Sequence, residues 1–234
     1  MSLSSLWAQS PGRVLDFFFP RWCLGCRREG AFLCSSCLTQ LPRLLPPLCP
    51  RCGQPQALEA CPSCKEWRLS IDAICSPYRF EGLVRQAVVL FKYRNLRALA
   101  PGLARLLKDY LDSHPMSYEA VLPVPLHPRR QRQRGYNQSA LMARELGRLV
   151  RVPVVDGALK RVTATPPQAR SRRREQRRAN VTGAFLCQEK GLTGRSLLLV
   201  DDVCTTGATL DACAQALKKA GAKTVFGLTL AREV

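Results

Sequence analysis

Four apolar residues followed at once by two acids and a hydroxyl-rich turn, Leu197 to Leu210 (LLLVDDVCTTGATL), constrain the architecture of this chain most tightly. An uninterrupted run such as Leu197-Leu198-Leu199-Val200 suits a strand covered on both faces, the condition of strands inside a parallel sheet. Asp201 and Asp202 end the run. Thr205, Thr206, Gly207 and Thr209 form a polar turn, and Leu210 to Ala220 has helical spacing up to Gly221. The order strand, polar loop, helix predicts a loop at the carboxyl end of a strand, where open α/β sheets bind ligands. The first helical turn presents unpaired N–H groups and a positive dipole end, which suit phosphate. Ionised Asp only accepts hydrogen bonds, so the two acids repel phosphate and suit sugar hydroxyls or a hydrated metal ion. A ribose 5-phosphate satisfies both halves, with its diol on Asp201 and Asp202 and its phosphate on Thr205 to Thr209.

Val200 to Thr209 (VDDVCTTGAT) resembles the phosphoribosyl pyrophosphate (PRPP) loop of type I phosphoribosyltransferases. The resemblance implies that Asp201 and Asp202 hold the ribose 2- and 3-hydroxyls. It also implies that amides and hydroxyls of Thr205, Thr206, Gly207, Ala208 and Thr209 hold the 5-phosphate. Cys204 stands where that loop varies and reads as a small packed thiol.

The N-terminal region obeys different rules. Of twelve cysteines, eight fall as four Cys-x-x-Cys pairs within the first 64 residues: Cys23/Cys26, Cys34/Cys37, Cys49/Cys52 and Cys61/Cys64. Two residues between thiolates form a turn that brings both sulfurs to one ion, and two such turns complete the four ligands of a closed, structural zinc site. About two structural Zn2+ ions are therefore expected. The spacing leaves open whether the pairs join sequentially or interleave. Met1 to Ser10 has no basic segment of the secretory kind, and Phe17-Phe18-Phe19 is too short to span a membrane, so a cytoplasmic protein with reduced thiols and no membrane span is expected. Val14 to Trp22 reads as a short lead helix. The chain carries 36 Lys and Arg against 17 Asp and Glu, a formal charge of +19, which favours polyanionic partners without choosing among them.

Metal-binding residues stop at Cys64, and the expected boundary separates a small domain, 1–68, from a larger one, 69–234. Ile71 to Phe80 reads as a strand and Leu83 to Phe91 as a helix. Leu96 to Leu111 is an amphipathic helix, with Leu99, Leu103, Leu106, Leu107 and Tyr110 on one face. Ala120 to Val124 reads as a second buried strand. It runs into Pro123 to Gln138 (PVPLHPRRQRQRGYNQ), where the prolines are expected to exclude a helix until Ser139 to Val150. Arginines at the carboxyl end of a strand suit a dianionic group. For His127 a proline-flanked structural role competes with acid–base work. Val152 to Val155 with Ala158-Leu159, and Thr224 to Leu230, are further strands. Between Arg161 and Asn180 lies a strongly basic stretch that reads as a flap closing over an anion, a nucleic-acid contact or a solvated face.

The cysteine pairs, PVPLHPRRQRQRGYNQ, Thr165 to Asn180 and VDDVCTTGAT stand in the order seen in the ComF family of competence-associated proteins, which the whole chain resembles. The resemblance implies an α/β fold: a parallel-sheet type I phosphoribosyltransferase-like domain preceded by a small double zinc-ribbon domain, acting in DNA uptake during natural transformation. By the same carry-over, Lys92 with Tyr93 flanks the site, Arg134, Gly135, Asn137 and Gln138 follow the pyrophosphate loop, and Gln168, Arg178 and Asn180 belong to the flexible hood. Lys92, Arg134 and Arg178 become candidates for the pyrophosphate, with Mg2+ accompanying PRPP. Two functions remain in play. One is glycosyl transfer from PRPP to an unknown acceptor, for which no residue stands out as the catalytic base. The other is a non-catalytic competence factor that meets single-stranded DNA or DNA-uptake proteins and uses PRPP as a sensed ligand or not at all.

Overall fold

The computed structural model describes residues 21–56, 61–66, 69–162 and 183–234. Residues 14–20 of the lead helix expected over Val14 to Trp22, Gln168, Arg178, Asn180 and the arginines from Arg170 to Arg177 lie outside them. The chain divides into two compact units, Met1–Leu41 and Pro42–Val234.

In the first unit a knuckle turns at Cys23–Arg28, where Arg27 N donates to Cys23 O (3.0 Å) and Cys23 N to Arg28 O (2.8 Å). A bridge between Trp22 and Glu29 closes it. The second pair sits on one helical turn, α1 (Ser35–Leu38), which begins directly after Cys34.

The second unit opens with the other cysteine set and α2 (Pro62–Glu66), then runs β1 (Ala73–Cys75), β2 (Tyr78–Arg79), α3 (Gly82–Tyr93), α4 (Ala100–Ser113) and β3 (Ala120–Pro123). It continues with α5 (Pro128–Arg134), α6 (Gln138–Val150), β4 (Leu159–Arg161), β5 (Phe185–Cys187), β6 (Ser196–Cys204), α7 (Ala208–Lys219) and β7 (Thr224–Arg232). Five strands form one parallel sheet in the order β1-β7-β6-β3, with β2 also on β7. A parallel bridge from Val121 to Val154 extends the far edge, and β4 pairs antiparallel with β5.

Leu197, Leu198, Leu199 and Val200 are all fully buried, as a strand with both faces covered requires. Successive strand residues face opposite sides. Leu197 and Leu199 join Leu210, Cys213 and Leu217 of α7 in the main core cluster, together with Cys49, Cys52 and Cys61. α6 packs against β3 and β6, and α4 packs against α6 and β7. Leu103, Leu106 and Leu107 give α4 the buried face that their spacing predicts.

Two expectations need correction. Ile71 to Phe80 is not one strand: Pro77 has no N–H to donate, and the chain breaks between β1 and β2. The prolines of 123–128 do not exclude a helix. Pro128 occupies the first position of α5, where its missing N–H costs nothing, and Gly135 ends that helix at φ +79°. No helix among the described residues is long and apolar enough to cross a membrane.

Candidate functional site

The cysteine pairs join sequentially. Cys23, Cys26, Cys34 and Cys37 converge in one cluster and Cys49, Cys52, Cys61 and Cys64 in another, with all four sulfurs of each within 4.8 Å of one another. Sulfur separations of 3.5 Å (Cys26–Cys34), 3.6 Å (Cys23–Cys34 and Cys52–Cys61) and 3.7 Å (Cys49–Cys64) are far too long for disulfides. They lie close to the roughly 3.8 Å between corners of a zinc tetrathiolate with bonds near 2.3 Å. Backbone amides already lean on the sulfurs: Cys34 N donates to Cys23 Sγ and Cys52 N to Cys49 Sγ, both at 3.5 Å. Ser36 and the Cys37 amide bring the Cys34 thiol down to about 6. Burial opposes ionisation of Cys49, yet the Cys52 and Arg51 amides bring it down to about 7. The donor sets fit zinc.

The two acids at the end of β6 meet different partners. Lys92, in the last turn of α3, places Nζ 2.6 Å from Asp202 Oδ1. Burial works against the Lys92 charge, but Asp202 outweighs it and raises the lysine above its ordinary value. The other oxygen, Asp202 Oδ2, is buried without a hydrogen-bond donor among the described residues. Asp201 Oδ1 accepts from Ser139 Oγ (2.7 Å) and from Asp202 N (2.9 Å). Burial, followed by the neighbouring Asp202 charge, lifts Asp201 to about 7 against the opposing pull of Lys92 and Ser139.

The turn behind them is built for close approach. Gly207 adopts φ +80°, and a Cβ there would lie 2.8 Å from Ile74 Cδ1. Thr206 Oγ1 accepts from Ala208 N (3.3 Å), and the first intrahelical bond of α7 runs from Asp211 N to Gly207 O (2.9 Å). The amides of Thr209 and Leu210 precede that bond and have no helical acceptor. Cys204 is a buried thiol, raised by that burial.

Residues 134–139 act mostly as a frame. Arg134 donates to the Gln138 side chain and stacks over Tyr93, 5.2 Å from the ring centre. Tyr136 donates to Phe91 O, and Asn137 caps α6 through Ser139 N (3.0 Å) while its Nδ2 donates to Val124 O (3.0 Å). His127 caps α5, its Nδ1 accepting from Arg129 N (3.2 Å), which supports the structural reading of this histidine. Beside this frame a cavity of about 490 Å3 opens between Pro125, Leu126, Gln131, Arg144, Lys160 and Arg161.

Sequence reasoning missed Ser139, Asp211 and Arg232. Asp211, fully buried in the first turn of α7, accepts from Ser70 N (2.6 Å) and Ile71 N (3.0 Å). A first-turn acid was a readable signal. Arg232 left no such signal, because its partners are backbone carbonyls.

Two family models match the chain: a double zinc ribbon domain over residues 14–66 and a phosphoribosyl transferase domain over 134–232. Competence protein F of Haemophilus influenzae is 33% identical over 234 residues, spanning 94% of this chain and 100% of that protein. The chain belongs to the ComF family. Two further relatives are competence protein ComFC of Bacillus subtilis (27% identical, 86% of this chain and 84% of that protein) and DNA utilization protein YhgH of Escherichia coli O157:H7 (32%, 88% and 94%). The expected ComF architecture, zinc-ribbon cysteine sets and a parallel-sheet phosphoribosyltransferase-like domain, is the one observed.

Proposed function

We propose that this ComF-family protein binds PRPP with Mg2+ at Asp201 to Thr209 and works in the cytoplasm on incoming DNA. The observation that carries the ligand is Asp202 Oδ2, a buried carboxylate oxygen with no donor among the described residues. Leaving such a group unpaired costs free energy, which a ribose hydroxyl or a hydrated cation repays. Asp201, raised to about 7, likewise gains from a partner that favours its ionised form. Both features fit the ribose diol and Mg2+. Thr205, Thr206, Gly207, Ala208 and Thr209 suit the 5-phosphate, with the Thr209 and Leu210 amides directed by the start of α7.

Lys92 holds Asp202 in place and keeps further N–H donors for an anion; Arg134, held by Gln138 and stacked over Tyr93, the neighbour of Lys92 in the chain, is the second candidate for the pyrophosphate. Arg178 is the third candidate for the pyrophosphate. Bound Mg2+ would supply charge neutralisation of the pyrophosphate. In glycosyl transfer an acceptor nitrogen forms a bond to ribose C1 while the C1–O bond breaks and pyrophosphate departs with the electron pair.

The second reading, a ligand-sensing factor that binds single-stranded DNA or a DNA-uptake protein, draws on the formal charge of +19 and on relatives named for competence and DNA utilization. PRPP with Mg2+ should raise the melting temperature of the full chain, and Asp201→Asn with Asp202→Asn should abolish the rise; an unmoved wild-type melting curve refutes the site. Pyrophosphate release from PRPP across an acceptor screen, with and without single-stranded DNA, separates the two readings. On the second, DNA affinity falls steeply with salt, and neutralising Arg172, Arg173 and Arg174 flattens the slope.

A further inference from the structure

Arg232, the last residue of β7, is 1% exposed, and no carboxylate among the described residues pairs with it. One guanidinium nitrogen, Nη1, donates to Thr205 O (3.3 Å) in the PRPP-like loop, and the other, Nη2, donates to Cys52 O in the second cysteine knuckle. Its Nε is buried with no acceptor among the described residues. A buried cation held by two carbonyls is costly unless a counter-charge stands close. Zinc with four thiolates carries about two net negative charges, and Cys52 is one of the four ligands of the second centre.

A second path joins the same two places. Ile74 N donates to Arg51 O (2.8 Å), and Gly53 lies so close that a Cβ would meet Ile74 O at 2.3 Å. The Ile74 side chain in turn fills the space beneath Gly207. Residues 51–53 and 205–207 therefore share Arg232 and Ile74 as common supports. The orientation of the Cys52 carbonyl depends on the knuckle, which Gly53 N to Cys49 O (2.9 Å) and Cys52 N to Cys49 Sγ (3.5 Å) hold around the sulfurs.

We infer that Arg232 is a positioning residue that couples the second zinc centre to the ribose-phosphate loop, its buried charge balanced by the zinc tetrathiolate and its two carbonyl bonds setting the loop for PRPP. The inference rests on the PRPP reading of that loop. Coupling of this kind is reciprocal: if the metal orders the loop, a ligand on the loop must retain the metal.

The test follows zinc release from the zinc-loaded full chain into a zinc-selective dye, with Cys26→Ser/Cys34→Ser identifying the phase that belongs to the second centre. PRPP with Mg2+ slows that phase by at least about fivefold and leaves the first-centre phase unchanged. Arg232→Met, without any PRPP, speeds the second-centre phase alone. Arg232→Lys, which keeps the charge and loses one carbonyl bond, falls between and remains measurable if the methionine variant misfolds. Unchanged second-centre release in Arg232→Lys and Arg232→Met overturns the coupling, as does PRPP that raises the melting temperature while both phases stay put. Absence of any PRPP effect on melting overturns the ligand reading, and the coupling of loop to ligand falls with it; the ligand-free release rates of the Arg232 variants then decide the link between arginine and zinc by themselves.

Discussion

Cys23, Cys26, Cys34 and Cys37 lie in the unit that ends at Leu41, with Cys26 exposed, whereas Cys49, Cys52 and Cys61 belong to the main core cluster of the unit that begins at Pro42. The two sets share the Cys-x-x-Cys pattern and nearly the same sulfur separations, so the metal chemistry is common to both. Their surroundings differ. The first knuckle bonds to its own neighbours between Arg21 and Phe32. The second hands Arg51 O to Ile74 and Cys52 O to Arg232, and both recipients touch the loop after β6. Spacing thus determines what a cysteine set binds, while the residues packed around it determine what the bound metal supports.

The largest expected effect breaks this contrast most cleanly. Cys49→Ser with Cys61→Ser should destabilise the 42–234 unit by about 4 kcal/mol or more, through loss of a metal buried in its core. Cys23→Ser with Cys26→Ser should leave that unit within about 0.5 kcal/mol. All five tyrosines lie between Tyr78 and Tyr136, so near-ultraviolet tyrosine dichroism reports this unit alone. Equal losses from the two double variants would erase the contrast.

Next in size, Lys92→Met strands the buried Asp202 carboxylate and should cost about 3 kcal/mol by the same tyrosine signal. Zinc release from the first set should not change; a change there would mean that the two units do not behave independently.

A third effect is a pH dependence centred on Asp201. Asp201 has a folded-state value raised to about 7, above its ordinary carboxylate value. Its contribution to stability is therefore fully present below about pH 4 and is lost as pH rises through about 7. Ligands that prefer the carboxylate follow the opposite course: PRPP–Mg2+ affinity should rise by up to about tenfold per pH unit until pH 7 and then level off. Asp201→Asn should flatten both profiles, as titration calorimetry and melting curves at several pH values would show. A flat wild-type affinity profile would remove Asp201 from the site.

Much of this architecture was legible because it is encoded locally. The run Leu197 to Val200 announced a doubly covered strand, the spacing of Leu103, Leu106 and Leu107 a helix face, and the cysteine spacing two metal knuckles. The site was legible as a list of residues and less so as a set of partners. On spacing alone Lys92 reads as an ordinary basic residue; the family resemblance puts it beside the site, and the fold supplies its partner, Asp202, more than a hundred positions away, while the choice between sequential and interleaved cysteine pairs turns on distances that spacing does not contain. Pro128 misled because the same residue that breaks a helix interior starts a helix well, and only the His127 cap and Gly135 terminus decide between the two. Arg232 escaped notice because its partners are backbone carbonyls, which leave no side-chain signature.

The most direct test of a ligand core that includes the second cysteine set and not the first is calorimetric titration of PRPP with Mg2+ into the wild-type chain and into Cys26→Ser/Cys34→Ser at pH 8. The expected result is a single saturable binding event in both, with affinities matching to within about twofold. Absence of binding in the wild type, or its loss when only the first set is disabled, would contradict it.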